Sequence, residues 1–442
     1  MKPLIARSLL GLFFIATALL TPTSLTYAQS KIDRIERERL ASMLKNLKGA
    51  IAKDYYDPTY HGIDLDARVA KAQERLKEVQ TTGEGLAVIA QVLIDFNDSH
   101  LFFRPPATNI RVEYGWRARM IGDKCFITTV KPKSDADAKG LKAGDQVLAI
   151  EGYKPSRKEL WKMMYYYNVL GRRSQLRITA LAPGSDQPRE LNIESKIRQM
   201  PHVVTAENFF WAMDDFVEGN NNDKHGFKKL GNITIWRMPS FGFDPSSVDT
   251  LMGENVGTTG SLILDLRSNG GGYIKTLERL TGFFFDNDIK LADLKGRKPM
   301  DPILAKSRGK GVFTGKVIVL LSSESGSASE IFARFIQIEK RGIVLGDVSA
   351  GAVMQAMAFH GESSSGFASI FYGANITNAD VIMSDGKSLE HVGVIPDEII
   401  LPTGDDLAKG RDTVLARAVS ILGGQMSPED AGKLFQYDWE TK

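Results

Sequence analysis

The segment Lys316–Phe332, KVIVLLSSESGSASEIF, carries the pattern that decides the fold. A run of mostly β-forming residues leads into a cluster of serines and glycines, after which helical spacing of apolar residues begins. These residues alone leave two interpretations of Ser327 open. Ser327 and Glu330 match the S-x-x-E pattern of a helix capping box. Alternatively, Ser327 is a nucleophile on a strand-to-helix turn, where free helix N–H groups can stabilise an oxyanion.

Alternation of strands and helices extends from about residue 199 to residue 442. Predicted strands are Asn232–Pro239, Ser261–Arg267, Lys316–Leu321 and Gly342–Asp347, and predicted helices cover about 272–285, 327–340 and 412–422. Apolar strands that alternate with helices indicate a largely parallel sheet with helical cover. We therefore predict an α/β domain over residues 199–442.

Composition excludes some functions and indicates a cell compartment. The net charge of +3 and the absence of a basic stripe argue against nucleic-acid binding. Lys2 and Arg7 precede the apolar run Leu9–Leu20, which is shorter than the roughly 20 residues that span a bilayer. The pattern predicts a signal peptide over residues 1–28, and hence an exported protein, periplasmic or secreted, with no stable membrane span. An uncleaved anchor is the alternative. The single cysteine, Cys125, excludes an intramolecular disulfide.

Two further domains are predicted between the signal peptide and the α/β domain. Residues 29–108 show helical periodicity that ends at Arg104–Pro106, and residues 109–198 show short strands and turns. In the second region, Ser134–Gly152 resembles a PDZ domain, including its turn glycines. PDZ domains bind a chain end as an added strand. The resemblance implies a peptide-facing strand at Tyr114–Ile121, with Tyr114, Gly115 and Trp116 as candidate peptide-binding residues.

A base for Ser327 must come from another part of the chain. Of the six histidines, His100 has the most distinctive context, because NDSH follows a predicted helix and precedes a domain boundary. Residues at domain junctions often line clefts. The turn LDLRSNGGG, Leu264–Gly272, is either a flexible turn or a place where the backbone approaches a substrate closely. It is not a phosphate-binding loop, because no G-K-[ST] follows.

Four segments occur in an order that resembles the tail-specific, or carboxyl-terminal processing, serine peptidases. They are SLILDLRSNGGG, VIVLLSSESGSASEIFA, GDVSAGAVMQ and LEHVGVIPD. The resemblance implies an α/β multidomain fold: an N-terminal helical domain, a PDZ domain and a crotonase-like (ClpP/crotonase-type) α/β peptidase core. It implies a serine-type peptidase without a metal or organic cofactor, which would act on polypeptides, in part through their C-terminal tails.

One departure from that family changes the expected base. Ala352 stands where the Ser–Lys members have their lysine, and residues 342–385 contain no lysine. The chain in this respect resembles the tricorn-type members, which use a Ser–His–Glu arrangement. That resemblance implies Ser327 as nucleophile, His100 as base, Ser99 and Glu390 as its polar partners, and the N–H groups of Gly271 and Ala328 as oxyanion donors. Whether Ser99 or Glu390 orients His100 is left open. Acidic and basic residues of the motifs are interpreted as structural: Asp265, Arg267, Asp347 and Asp397.

Three functions compete at this point. The first is a serine endopeptidase for unfolded or tail-exposed proteins. The second is a catalytically degenerate peptide-binding protein of the same fold, which Ala352 would explain. The third is an acyl-CoA enzyme, because the crotonase-like core is shared between functions. An oligomer is compatible with all three.

Overall fold

The computed structural model describes residues 32–107, 110–199, 224–365 and 368–439. The predicted signal peptide, residues 1–28, lies outside these ranges. Among the described residues, none of the helices combines the length and the apolar character needed to cross a bilayer. Helices in these ranges are α1 Arg34–Asp54, α2 Leu65–Glu78, α3 Thr82–Ile94, α4 Asp135–Ala138, α5 Leu160–Tyr165, α6 Ser247–Leu251, α7 Ile274–Thr281, α8 Ala328–Ile338, α9 Gly404–Ala408, α10 Thr413–Ile421 and α11 Pro428–Gly432.

The predicted N-terminal helical region contains α1, α2 and α3. Side chains of Asp33, Asp64 and Thr81 accept hydrogen bonds from the first turns of these helices, which satisfies N–H groups that lack intrahelical partners. Their apolar faces share one core with a strand far along the chain, β17 (Ala368–Met383), which contributes Tyr372 and Ile376. The first strand, β1 (Phe102–Arg104), pairs with β17 as well. The predicted separation at residue 108 is therefore wrong as a packing boundary, because helices and β17 bury their apolar surfaces against each other.

Residues 110–199 form short strands, as predicted. These are β2 Ile110–Glu113, β3 Trp116–Ile121, β4 Lys124–Val130, β5 Gln146–Ile150, β6 Gln175–Leu181, β7 Arg189–Glu194 and β8 Lys196–Gln199. Five of them form an antiparallel sheet in the order β3-β4-β5-β6-β7, and β2 pairs with β8. The predicted closing hairpin is β6–β7. Within the described residues, β3 is an edge strand of its sheet.

The remaining strands form two sheets. They are β9 Gly226–Leu230, β10 Ile233–Arg237, β11 Ser261–Asp265, β12 Ile289–Gly296, β13 Ile303–Ala305, β14 Lys316–Leu321, β15 Ile343–Gly346, β16 Met354–Ser365, β17 and β18 Glu398–Ile399. One sheet has the order β18-β15-β14-β11-β10-β9 and is parallel except for β9. Helices α7 and α8 pack on one face and α10 and α11 on the other. This arrangement confirms the predicted parallel sheet with helical cover.

The second sheet was absent from the sequence prediction. It contains β1, β17, β12 and β13 in order, and β16 pairs with β17 along most of its length. The carboxyl ends of β11, β14 and β15 meet at one edge of the parallel sheet, where functional residues of α/β folds gather. The β1–β17 pairing brings the loop before β1 to the same place. Three segments therefore lie close together: the nucleophile loop, the glycine-rich turn and the NDSH segment.

Candidate active site

Ser327 occupies a strained turn between β14 and α8. Its φ of 53° lies in the left-handed region, which is unfavourable for a residue with a side chain and is often found at functional sites. The Glu330 carboxylate accepts a hydrogen bond from the Ser327 backbone N–H at 3.0 Å, so the glutamate half of the predicted capping box is present. The S-x-x-E capping box predicted from the sequence is therefore compatible with a second role for Ser327, and its Oγ has a partner outside this turn.

That partner is His100, which lies 227 positions earlier in the chain. Nε2 of His100 is 3.3 Å from Oγ of Ser327. Nδ1 of the same ring is 2.8 Å from Oγ of Ser99, and the Ser99 hydroxyl donates to Oε2 of Glu390 at 2.8 Å. A hydroxyl has only one proton to donate. Because Ser99 gives it to Glu390, Ser99 must accept from Nδ1–H, which leaves Nε2 unprotonated towards Ser327.

The protonation state of His100 suits a base. Burial lowers the pKa of His100, and the charges of Asp98 and Glu390 oppose that effect. A lowered pKa keeps the imidazole neutral at neutral pH, and only the neutral form can accept a proton. Glu390 is fixed by backbone donors as well: the N–H groups of Ser99 and Val353 donate to it at 2.9 and 2.8 Å. The structure thus brings together all four residues predicted for the acyl-transfer site.

The two predicted oxyanion donors differ in the structure. Ala328 is the first residue of α8, and its N–H has no partner within the helix. The N–H of Gly271 instead donates to Oδ1 of Asn269 at 2.9 Å. Gly271 is therefore near the nucleophile but is not a free donor in this arrangement, which corrects the prediction. Asn269, which is 0% exposed, also bonds Met238 and Gly326.

The site requires glycine at position 271 because there is no space for a side chain. Its φ is 111°, and a Cβ at this position would lie 2.6 Å from Cβ of Ser327. We expect Gly271→Ala to lower kcat/KM at least about 100-fold, because a displacement of roughly 1 Å in a site can have that effect. Gly270→Ala is the matched control, since a Cβ there meets nothing within 4 Å. Steady-state kinetics on both variants checks this expectation, and equal activities would contradict it.

A buried carboxylate that the sequence analysis interpreted only as part of a cap holds the loop opposite Ser327. Glu330 accepts from Ser349 Oγ at 2.6 Å, Gly351 N at 2.8 Å and Ala352 N at 2.9 Å, besides Ser327 N. Burial raises the pKa of Glu330 to about 7, although these four donors act in the opposite direction. The carbonyl of Ala352 in turn accepts from Ser327 N at 2.8 Å. Glu330 therefore couples the nucleophile turn to the segment Ser349–Ala352.

The predicted peptide-binding residues require a correction. Tyr114 and Trp116 are 4% and 5% exposed and belong to the core of the small sheet, so their side chains do not face a peptide. The Tyr114 hydroxyl is bonded to the carbonyl of Arg173 at 3.0 Å. Gly115 has a φ of 74° in the turn before β3. Only the backbone edge of β3 stays a candidate for binding a peptide, and the PDZ assignment stays a prediction.

The charged motif residues have the structural contacts that the sequence analysis expected. Arg267 forms paired hydrogen bonds with Asp265 and Asp412. Burial acts to lower the pKa of Arg267, but the charges of these two carboxylates outweigh it and raise the pKa. Asp347 binds Arg157 of the small-sheet region at 2.6 Å. Asp397 accepts from Val344 N at 2.8 Å. These contacts join the strands and loops behind the site.

The other described histidines have surroundings that differ from those of His100. His225 is half-buried and accepts from Nε1 of Trp236 at 3.1 Å, and burial lowers its pKa to about 4. His61 bonds Tyr56, and His360 lies on β16. His391 is 3.5 Å from Oε1 of Glu390. His202 is outside the described residues. Over the described ranges, no group of three or more His, Cys, Asp or Glu could hold a metal ion.

Part of the chain is similar to peptidase family S41. Residues 230–400 match the model of this family, and that range contains Ser327 and Glu390. Among curated relatives, the carboxy-terminal-processing protease of Bartonella bacilliformis is 28% identical over 326 residues, which cover 70% of this chain and 66% of that protein. The tail-specific protease of Haemophilus influenzae is 30% identical over 129 residues, 28% of this chain and 18% of that protein. The chain therefore spans less than two thirds of the length of these relatives.

Solved structures support the fold. Mature CPAF has a TM-score of 0.61 at 13% identity, and the match covers 84% of this chain and 94% of CPAF. The photosystem II D1 C-terminal processing protease has a TM-score of 0.50 at 17% identity, with 88% and 99% covered. At these identities the likeness concerns the fold alone. Membership of the tricorn-type branch stays a prediction.

Proposed function

We propose that the chain is a serine endopeptidase that hydrolyses peptide bonds of unfolded or tail-exposed proteins through an acyl-enzyme on Ser327. The observation that carries this proposal is the chain of hydrogen bonds from Ser327 through His100 and Ser99 to Glu390. A serine hydroxyl is a weak nucleophile until a base removes its proton. Within the described residues no lysine contacts Ser327, and Ala352 occupies the position expected for one.

The proposed reaction has two halves. Oγ of Ser327 attacks the carbonyl carbon of the scissile bond while Nε2 of His100 takes the hydroxyl proton. The oxyanion forms near the N–H of Ala328, where the helix N-terminus favours negative charge. The C–N bond then breaks, and His100 returns the proton to the leaving amine. In the second half, His100 takes a proton from water and the oxygen of that water attacks the acyl carbon. The ester bond to Ser327 Oγ then breaks, His100 returns the proton to Oγ, and the carboxylic acid product leaves.

Ser99 and Glu390 have separate roles in this scheme. Ser99 accepts from Nδ1–H and so sets the tautomer, and Glu390 fixes the Ser99 hydroxyl. The contact between ring and carboxylate therefore passes through a serine, in contrast to a direct carboxylate–imidazole pair.

Capture of substrate tails by the edge of β3 belongs to the same proposal. It draws support from the position of β3 beside the nucleophile loop, where Ser323 Oγ donates to the carbonyl of Met120 at 2.6 Å. Export to the periplasm or the medium is also proposed.

The proposal is tested by incubating the purified protein with casein, a disordered substrate, and with a serine-directed fluorophosphonate probe. We expect casein to be cleaved and the probe to be found on the tryptic peptide that contains Ser327. A tightly folded protein of similar size serves as control substrate and is expected to survive. Peptide binding without cleavage or labelling would instead favour the catalytically degenerate binding protein.

A further inference from the structure

Asp98, two residues before the proposed base, is a buried carboxylate that the proposed reaction does not use. It is 7% exposed. Its Oδ1 accepts from His100 N at 2.9 Å, Leu101 N at 3.1 Å and Thr377 Oγ1 at 2.7 Å. These bonds explain how the segment after α3 turns towards β1. They leave the second carboxylate oxygen without a role.

Oδ2 of Asp98 is buried and accepts no well-aligned hydrogen bond from the described part of the chain, although the Tyr55 hydroxyl lies beside Asp98 and interacts with it. No lysine or arginine in the same ranges forms an ion pair with Asp98. A buried carboxylate without a cation is costly, because it has lost its hydration without gaining a counter-charge. A buried polar atom without a partner calls for an explanation, and a role in catalysis is one of the known ones.

The groups around Asp98 and His100 leave one candidate for that positive charge. Burial, followed by the charge of Asp98, raises the pKa of both Tyr55 and Tyr56, so these phenols stay neutral. The remaining titratable groups near this pair are Asp57, Asp380, Glu390 and, beyond Glu390, His391. His100 is therefore the group next to Asp98 that becomes a cation when it accepts a proton.

We propose that Asp98 is a positioning residue whose charge stabilises the imidazolium of His100, while Ser99 and Glu390 orient the ring. This inference rests on the proposed function. Glu390 already accepts hydrogen bonds from Ser99 N, Ser99 Oγ and Val353 N, which stabilise its own charge. The three hydrogen bonds to Asp98 all go to Oδ1, so the charge on Oδ2 is compensated less completely than that on either oxygen of Glu390. In agreement, Asp98 opposes the lowering of the His100 pKa by burial more strongly than Glu390 does.

The test is the pH dependence of kcat/KM for Asp98→Asn. Asparagine keeps the size of the side chain and an oxygen for the bonds to His100 N and Leu101 N, but it removes the charge. Loss of a nearby negative charge lowers the pKa of a histidine, so the acid limb of the profile should move to lower pH. The plateau should fall by about 10- to 100-fold, because the imidazolium forms less readily in the transition state.

Two control variants separate charge from structure. Thr377→Val removes one bond to the same Oδ1 and leaves the charge, so it should lower the melting temperature without moving the acid limb. Glu390→Gln should move the acid limb less than Asp98→Asn does. An acid limb and a plateau unchanged in Asp98→Asn would overturn the proposal, as would a larger shift of the limb in Glu390→Gln.

A measurement without turnover keeps this inference separate from the peptidase proposal. Imidazole carbons of the intact protein can be labelled with ¹³C and titrated by NMR, with the His100 signal assigned from His100→Gln. The His100 midpoint should be lower in Asp98→Asn than in the parent, even if no substrate is cleaved. If Asp98→Asn does not fold, the ¹³C signal of the Asp98 carboxylate in the parent replaces it. That signal should shift at the pH where His100 titrates, and a flat trace there would refute the pairing.

Discussion

Ser327→Ala is expected to lower kcat/KM for casein by on the order of 10⁴- to 10⁶-fold, the range found when the nucleophile of a serine peptidase is removed. Alanine removes the only atom that can form the acyl-enzyme in the proposed reaction. The fold should persist, because the Glu330 carboxylate binds the backbone N–H of residue 327, which the substitution leaves in place. Steady-state cleavage assays with matched melting temperatures check this expectation.

Ser329→Ala is the natural comparison for that variant. Ser329 lies two residues further on, and its hydroxyl donates to the carbonyl of Asn269 at 2.9 Å, away from His100. It should lose stability and retain most of the activity. Equal losses in Ser327→Ala and Ser329→Ala would mean that the serine cluster supports the fold and that Ser327 is no nucleophile.

His100→Ala is expected to be about as damaging as Ser327→Ala, because a nucleophile and its base act as a unit. The double variant should therefore be little worse than either single variant. Nε2 of His100 is the only ring nitrogen in the described ranges that contacts Oγ of Ser327. Rates measured over pH 5 to 9 are informative, because activity left in His100→Ala should lack the acid limb that a neutral imidazole imposes.

His391→Ala provides the matched control for the base. Its ring approaches the same Glu390 carboxylate at 3.5 Å but does not reach Ser327. Activity should stay near that of the parent. Near-normal turnover in His100→Ala, or a large loss of activity in His391→Ala, would show that His100 is not the base.

The parallel sheet could be predicted because its signals are local. Strands such as Lys316–Leu321 are short apolar runs, and each is followed by a turn or a helix within a few residues. Ser327 and His100 were candidates from their local sequence context, whereas Ser99 and Glu390 could be named only through the resemblance to a peptidase family. Periodicity and composition contain no information on a contact between residues 227 or 291 positions apart.

The features missed by the sequence analysis depend on such distant contacts. Strand β17 has polar residues such as Asn375 and Thr377 among its apolar ones, and its partners include helices from the first hundred residues. Nothing in the sequence around Tyr114 and Trp116 distinguishes a core residue from a peptide-binding one. Asn269 and Glu330 stood in quoted motifs, but a buried amide or carboxylate is recognised by its bonding partners, which sequence spacing does not reveal.

The shared core of the N-terminal helices and β17 has a consequence for biosynthesis. His100 is synthesised early and Ser327 late, and the strand pairing that holds the His100 segment at the site includes Phe103 and Ala374. A chain that is still leaving the ribosome therefore holds the proposed base without its nucleophile. The proposed hydrolytic activity would switch on at the last stage of folding, which protects a newly made peptidase, and its equally unfolded neighbours, from premature digestion.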